Sequence, residues 1–435
     1  MLVVKARDER GICLSPVRCL AGVVCIFSVL FFHDARATTL NETIELALQH
    51  SSLLRQQYFQ TDLAVIDKSI NEAERELELE LHLQGGFGHV TMGKNASRYV
   101  KKGERFPLSA IVELSYPIDI WGIDDRDDKI ADKTIQQRIL EAEVVKHRTI
   151  VDVVNVYVAL ANGTLERHSQ QQRVKFLSKK VEEAKQQLAV GLYTKPFVEQ
   201  IIGEKVEAES LLADYDLSYS LNSLLYRRLT GQHPDSIDNE IGVPYFPDDI
   251  ISIREGVDRS PQVRALQYAL DVAQLQAKNT EASFRSTLEL TANGGVQEGS
   301  IYLTERIYNY EFMLRWNIPL GNRASRAAAN RSRTLISLQQ EALQSTRELN
   351  ESQILQLIRQ HKIVAQQVGK LEEKLFVDVA NLDATTRESN VGKSTEFEVM
   401  ARRLDLLETQ NLLKLNKNTL ASIAYQIRGL LGIAD

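Results

Sequence analysis

The chain contains nearly the same segment twice, and each copy passes from a helical period to a strand period. Residues 51–88 align without a gap with residues 260–297. The coinciding residues are Ser51/Ser260, Arg55/Arg264, Asp62/Asp271, Glu72/Glu281, Ala73/Ala282, the Leu-Glu-Leu segments at 79–81 and 288–290, and the glycine pairs at 85–86 and 294–295. A repeat of about two hundred residues is too long for one solenoid unit. It predicts a duplicated half-protein, with half-repeats at 38–231 and 260–435 and a proline-containing linker at 232–259.

Residues 1–37 have the pattern of a cleaved export signal. A basic start precedes the thirteen-residue apolar run 20–32, and the small-residue site Ala35-Arg36-Ala37 follows it. The run is shorter than the about 20 residues that a membrane helix needs. All three cysteines, at positions 13, 19 and 25, lie in this segment. We therefore predict an exported mature chain without thiol chemistry or disulfides.

The charge of the remaining chain argues against nucleic acid as a partner. The signal segment holds five basic and three acidic residues, which leaves residues 38–435 with a net charge of −8. Proteins that bind nucleic acid neutralise phosphates with lysine and arginine. No later segment is apolar for long enough to form a membrane helix, so any entry into a membrane must use strands.

Strand-like alternation occurs twice in each half-repeat. In 106–120 and in 308–318 the even positions are all apolar, whereas polar residues are found among the odd positions. Segments 79–87 and 284–292 alternate as well. Each half-repeat is thus predicted to hold two strands of roughly ten residues, the length of a transmembrane β-strand.

The same alternation also fits a soluble antiparallel sheet with one face in water. Tyr308, Tyr310 and Trp316 favour a membrane, because aromatic rings are enriched at membrane interfaces. Four strands do not close a barrel alone, since the smallest single-chain membrane barrels use about eight. Closure would therefore need several copies of the chain.

Amphipathic helical segments make up most of the rest. They are predicted at 39–78, 123–189, 197–229, 322–389 and 396–431. The second spans 67 residues, which is roughly 100 Å of helix. Its apolar stripe, which includes Val144, Val151 and Val158, can be buried only against partner helices, as in a coiled coil.

Two glycine turns interrupt these long segments. At Val190-Gly191-Leu192 and Val391-Gly392-Lys393 a helix is predicted to end on a left-handed glycine. The following helices are predicted to begin at Thr194 and Thr395, and Thr395 with Glu398 forms a capping-box pattern. These residues serve either as turns alone or also as a docking site, because the tip of a rod is where a partner meets it.

The chain resembles the TolC family of outer-membrane efflux proteins. The resemblance is carried by SYPIDIWG (115–122) and WNIPLGNR (316–323), each followed by a long helix, a glycine turn ending in threonine and a return helix. It covers essentially the whole chain after the signal segment. It implies an α+β membrane protein in which three copies, each giving four strands, close one twelve-stranded barrel above a periplasmic tunnel of helical hairpins.

The resemblance also implies a function and its partners. The protein would be the outer-membrane exit duct of a tripartite efflux pump or a type I secretion system. It would work with a periplasmic adaptor and an inner-membrane transporter of the ABC, RND or MFS type. The adaptor would contact the hairpin tips of this chain at Val190, Gly191, Leu192, Val391, Gly392 and Lys393. The cargo is not indicated by the sequence.

Acidic residues just inside the tips narrow the tunnel in that family, and this position is filled here by Glu398. The corresponding residue of the first hairpin is Phe197, and a second acid found in some relatives is replaced by Ala401. Glu396 could supply further charge, or it could simply favour the start of its helix. The gate is therefore predicted to contain Glu398, Phe197 and Glu396.

Other chemistry finds little support in the residues. The histidines show neither i,i+4 pairing nor an HExxH pattern, so no metal site is predicted. The glycine pairs are not followed by the Lys-Ser/Thr of a phosphate loop. We expect no cofactor and no enzymatic activity. The alternative to a duct is a periplasmic adaptor, which would have a single helical hairpin and more β-structure.

Overall fold

The computed structural model describes residues 38–86, 88–90, 103–105, 108–234, 236–298, 307–319 and 323–433. The predicted signal segment, 1–37, lies outside the described residues. So do Phe87 and Phe106, at the ends of two predicted strands, and Asn322, the predicted start of a helix.

Both half-repeats contain two shorter helices, paired strands and a long helical hairpin. The first runs α1 (Leu40–His50), α2 (Ser52–Ala73), β1 (Glu78–Gly85), β2 (Gly88–Val90), β3 (Gly103–Arg105), β4 (Leu108–Ile118), α3 (Ile123–Ala189) and α4 (Lys195–Thr230). The second runs α5 (Ile250–Arg259), α6 (Pro261–Ser283), β5 (Thr287–Glu298), β6 (Ile307–Asn317), α7 (Arg323–Asn390) and α8 (Glu396–Leu431). The predicted class, long helical hairpins with four sheet strands from a duplicated half, is confirmed.

The sequence repeat coincides with a repeat in local structure. Ser51 and Ser260, its first aligned pair, are the N-caps of α2 and α6, and their side chains accept hydrogen bonds from Leu54 N–H and Val263 N–H. The aligned residues Glu78 and Thr287 begin β1 and β5. The two halves therefore build the same helix-to-strand unit from the same capping residue.

Several predicted elements differ in the structure. The helix predicted at 39–78 is two helices, because the Ser51 side chain caps a new helix at that point. The strand predicted at 284–292 begins only at Thr287, since Arg285 N–H still bonds to the Ala282 carbonyl (2.9 Å) in the last turn of α6. The linker predicted at 232–259 contains α5, which occupies the same place in the element order as α1.

The number of strands is also larger than predicted. β2 and β3 form a separate two-stranded antiparallel sheet between β1 and β4. The four predicted strands make one antiparallel sheet in the order β1-β4-β5-β6. β1 and β6 are consequently its two open edges.

One face of this four-stranded sheet is apolar across all strands. Leu79 lies opposite Leu114, Leu114 opposite Ala292, and Ala292 opposite Phe312. The next row, on the other face, is polar, and consists of Glu80, Glu113, Asn293 and Glu311. The apolar face is uncovered, with Phe312 82% exposed. A soluble sheet would bury this face and leave the polar one in water.

The long helix α3 is the centre of the helical packing. It packs against α1, α2, α4, α6 and α8, whereas α7 packs against α5, α6 and α8. The end of α8 meets the start of α6, and a Cβ added to Gly432 would clash with Cδ of Pro261. α8 and α6 therefore lie end to end, and both pack against α3 and α7. None of the described helices carries an apolar stretch that could span a bilayer.

Two buried clusters hold the short helices α1 and α5 against this layer. Tyr157 of α3 is fully buried, donates its hydroxyl hydrogen bond to the Thr38 carbonyl (2.7 Å) and accepts one from Asp238 N–H (3.0 Å). This burial raises the pKa of Tyr157 to about 12. Around α5, Ile253 and Val257 pack with Ile354 of α7 and Ile427 of α8.

Candidate functional site

The first hairpin turn ends α3 with two nested backbone hydrogen bonds. Gly191 N–H donates to the Leu188 carbonyl (3.0 Å), and Leu192 N–H donates to the Gln187 carbonyl (2.9 Å). This pair of bonds is the Schellman motif, which satisfies carbonyls that the helix end leaves free. Gly191 has φ +78°, the left-handed conformation that the motif requires.

The second turn repeats this geometry at the end of α7. Gly392 N–H donates to the Ser389 carbonyl (3.0 Å), and Lys393 N–H donates to the Glu388 carbonyl (2.9 Å). Gly392 has φ +75°. A Cβ at Gly191 or at Gly392 would meet no atom within 4 Å. Both glycines are therefore required by backbone conformation and not by lack of space.

The return helix α8 starts with the predicted capping box. Glu398 N–H donates to Thr395 Oγ1 (3.2 Å), and Thr395 N–H donates to the Glu398 carboxylate (2.8 Å). The Ser394 hydroxyl donates to the same carboxylate. The hydrogen bonds from Ser394 and from Thr395 N–H lower the pKa of Glu398 below its usual range. The Glu398 carboxylate is exposed to solvent, and it accepts hydrogen bonds from residues at the start of α8.

The return helix α4 starts differently. Thr194 is the N-cap residue of α4, at the predicted position, but its side chain makes no capping hydrogen bond. Pro196 in the first turn has no N–H to offer, and Phe197 stands where a glutamate or glutamine would complete a capping box. Phe197 instead packs edge-on against Tyr193, with ring centroids 4.8 Å apart.

Apolar side chains project from both tips. Val190 and Leu192 are each 70% exposed, and Val391 is 69% exposed. Lys393 and Glu396 are exposed beside them. Exposed apolar groups at the ends of two helical hairpins form a surface that a protein partner can cover.

The described side-chain contacts of the predicted gate residues Phe197 and Glu398 are within their own hairpins. Phe197 contacts Tyr193, and Glu398 bonds to Ser394 and Thr395. The neighbouring Phe397 reaches the other hairpin, with its ring centroid 6.2 Å from that of Phe176 in α3. Tyr193, Ser394 and Phe397 were not predicted from the sequence. The available signals for the first two were an aromatic residue two positions after the glycine and a serine immediately before the cap residue.

Comparison of the sequence with models of protein families and with curated proteins finds no match. Solved structures do match. The Campylobacter jejuni outer membrane channel CmeC gives a TM-score of 0.77 at 13% identity, covering 90% of this chain and 85% of that one. The Vibrio cholerae outer membrane protein VceC gives 0.73 at 19% identity, covering 90% and 96%. The Neisseria gonorrhoeae outer membrane channel MtrE, solved in an open state, gives 0.71 at 14% identity, covering 90% and 88%.

The chain has the fold of these outer-membrane channels. The resemblance to the TolC family that was inferred from the sequence is confirmed at the level of the fold. The match extends over nearly the whole length of both chains, so the sheet and both helical hairpins take part in it.

Proposed function

We propose that this protein is an outer-membrane exit duct that passes cargo from an inner-membrane transporter across the periplasm and the outer membrane. The observation that carries the proposal is the four-stranded sheet with a continuous, exposed apolar face and two open edges. Lipid tolerates neither unpaired backbone groups nor open sheet edges. Such a sheet is stable in a membrane only when other copies pair with its edges.

Three copies satisfy this requirement with the four strands that each supplies. Strand β6 of one copy would pair with β1 of the next, closing a barrel of twelve strands. The helical hairpins would then form a tunnel on the periplasmic side. The short helices α1 and α5 pack on one face of the helical layer. We assign that face to the outside of the tunnel and the opposite face to the lumen.

The two hairpin tips would dock the periplasmic adaptor of a tripartite pump or a type I secretion system. Val190, Leu192 and Val391 offer exposed apolar contacts, and Lys393 adds a positive charge. The transporter would be of the ABC, RND or MFS type. The alternative function, a periplasmic adaptor, is less well supported, because a lipid-facing sheet has no role in a protein of the periplasm. No enzymatic role is proposed.

The test of the duct is the mass of the particle extracted from outer membranes with detergent. Three chains per particle, released only by detergent, are the expected result. A stable, water-soluble monomer would contradict both the membrane location and the trimer.

The gate is proposed to contain Glu398, with Phe197 and Glu396 nearby. Glutamine also fits the N3 position of a capping box, so Glu398→Gln removes the charge and keeps the cap, whereas Glu398→Ala removes both. If three Glu398 carboxylates narrow the lumen, both variants should weaken block by multivalent cations in planar bilayers. Only Glu398→Ala should loosen the start of α8, measured by hydrogen exchange. Unchanged cation block in both variants would leave Glu398 with the capping role alone.

A further inference from the structure

A cleft of about 680 Å³ opens in the middle of the helical layer, where α8 ends and α6 begins between α3 and α7. Small-ligand sites in proteins have volumes of about 300–1,000 Å³. Val151 and Leu357 contribute apolar surface to its lining. Val144, Pro261 and Leu430 add to this apolar surface. Six of the polar lining residues are carboxamides, and among the described residues that line the cleft none is acidic.

The cleft lies on the face of the layer that points away from α5. Arg347 and Glu351 of α7 pair with Asp258 (2.9 Å) and Arg254 (2.8 Å) of α5. Gln356 and Gln360, which line the cleft, each follow one of these two α7 residues by nine positions. Nine residues are two and a half helical turns, so the glutamines lie on the opposite side of α7. Under the proposed function this side is the lumen.

The carboxamides on the α7 side of the cleft are available to a ligand. Gln353, Gln356 and Gln360 recur along α7 and are exposed, and within the described chain their amides bond to no other residue. On the other side, Gln426 Nε2 donates to Asn155 Oδ1 (3.1 Å). A carboxamide offers two N–H donors and one carbonyl acceptor. A row of them therefore matches a ligand whose groups both donate and accept.

His147 adds a further polar side chain to the lining. It lines the cleft with its side chain 8% exposed, and it has no hydrogen-bond partner among the described residues. Burial lowers its pKa, so the ring is neutral at pH 7, with one donor and one acceptor nitrogen. Its ring nitrogens are not among the described buried side-chain atoms that lack a partner, so they are open to solvent and can bond to a ligand.

We propose that this cleft is a binding site for hydroxyl-rich cargo of the oligosaccharide class. Hydroxyl groups donate and accept hydrogen bonds, as do the carboxamides and a neutral histidine. Arg148, exposed beside them and without an ion pair in the described chain, adds five donors for hydroxyl or acidic groups of a saccharide. None of the described lining residues is a carboxylate that could pair with a cationic cargo.

The test uses the detergent-solubilised protein and maltotriose as the probe, with triglycine as the comparison. Calorimetry should detect maltotriose binding, and maltotriose should reversibly reduce the current of the trimer in a planar bilayer. The double variant Gln353→Leu/Gln356→Leu removes two exposed amides and should weaken maltotriose binding about tenfold or more. Gln344→Leu is the matched control, because Gln344 is an exposed glutamine of α7 that bonds to Glu348 outside the cleft, and it should bind as the wild type does.

The outcomes separate this inference from the proposed duct. A trimer that conducts but neither binds maltotriose nor is blocked by it would overturn the oligosaccharide site and leave the duct in place. Equal binding by the double variant, or equal binding of triglycine, would also overturn it. A chain that forms no channel and yet binds maltotriose with the expected loss in the double variant would contradict the duct alone.

Discussion

Replacing both Leu217 and Leu221 by glutamate should convert the detergent-solubilised trimer into monomers. These two residues of α4 are 61% and 53% exposed, and Val206 and Leu224 extend the same apolar stripe. Burying an uncharged polar group without a hydrogen-bond partner costs roughly 2–7 kcal/mol, and burying a carboxylate in an apolar seam costs more. With two such residues in each of three seams, the loss would exceed what a helical seam contributes. The measurement is the mass of the particle in detergent.

The geometry of α4 explains why this stripe requires a second copy. Ala208 and Tyr226 are buried on the side of α4 that faces α3. Leu217 lies nine residues from each of them, which is two and a half turns and therefore the opposite side of the helix. Within one chain nothing described covers that side. In a closed tunnel the neighbouring copy would cover it.

Two controls separate assembly from folding. Leu217→Met with Leu221→Met keeps the stripe apolar and should preserve the trimer, since volume-conserving apolar exchanges cost less than about 1.5 kcal/mol. Ser218→Glu adds a charge at a neighbouring exposed position outside the stripe and should also preserve it. The glutamate double variant should keep its helix content by circular dichroism, because the contacts between α3 and α4 are on the other side. A glutamate variant that remains trimeric would show that the stripe does not face another copy.

The period of the apolar residues predicted the large elements well, because long regular elements repeat one pattern many times. The prediction of a helix at 123–189 coincides with α3, and the prediction at 396–431 coincides with α8. The alternation also predicted which residues share the apolar face of the sheet. In each case the pattern and the burial requirement agree over ten or more residues.

The errors occur where a single side chain decides the local structure. Ser51 divides a continuous helical pattern, because one hydroxyl that accepts Leu54 N–H is enough to start a new helix. The helix α5 was missed because its ten residues follow a segment with several prolines, and its apolar residues Ile253 and Val257 are explained only by a tertiary core. Neither feature has a period long enough to be detected in the sequence.

Residues close in sequence were sufficient to predict the glycine turns and the Thr395 capping box. Residues close in sequence also explain why the Thr194 side chain makes no capping hydrogen bond. The left-handed glycines are fixed by the Schellman bonds within five residues of sequence, and the Thr395 capping box within three. Thr194 has the right residue type but is followed by Pro196 and Phe197, which remove one donor and the reciprocal acceptor. The role of the tips in docking and of Glu398 in a gate depends on other chains, and a single sequence carries no direct record of them.

The docking role of the tips gives the second large expected effect. Gly392→Pro should abolish export by the assembled pump while the trimer still forms. Proline fixes φ near −65°, whereas Gly392 has φ +75°, and proline also removes the N–H that bonds to the Ser389 carbonyl. The tip would therefore lose the Schellman turn and change its direction. Export should be measured in cells that also express the adaptor and the transporter, beside the amount and mass of the trimer in their outer membranes.

Companion variants distinguish the backbone of the tip from its exposed surface. Gly392→Ala keeps the N–H and meets no atom within 4 Å, so it costs only the about 1–2 kcal/mol of a left-handed residue and should export nearly as the wild type does. Val391→Ser leaves the turn intact and removes one exposed apolar side chain, so it should weaken docking with no change in structure. Gly191→Pro should reproduce the defect from the first hairpin, because the two turns have the same bonds. Normal export by both proline variants at normal trimer levels would show that the glycine turns only reverse the chain, and the adaptor contact would then have to be sought along the sides of the hairpins.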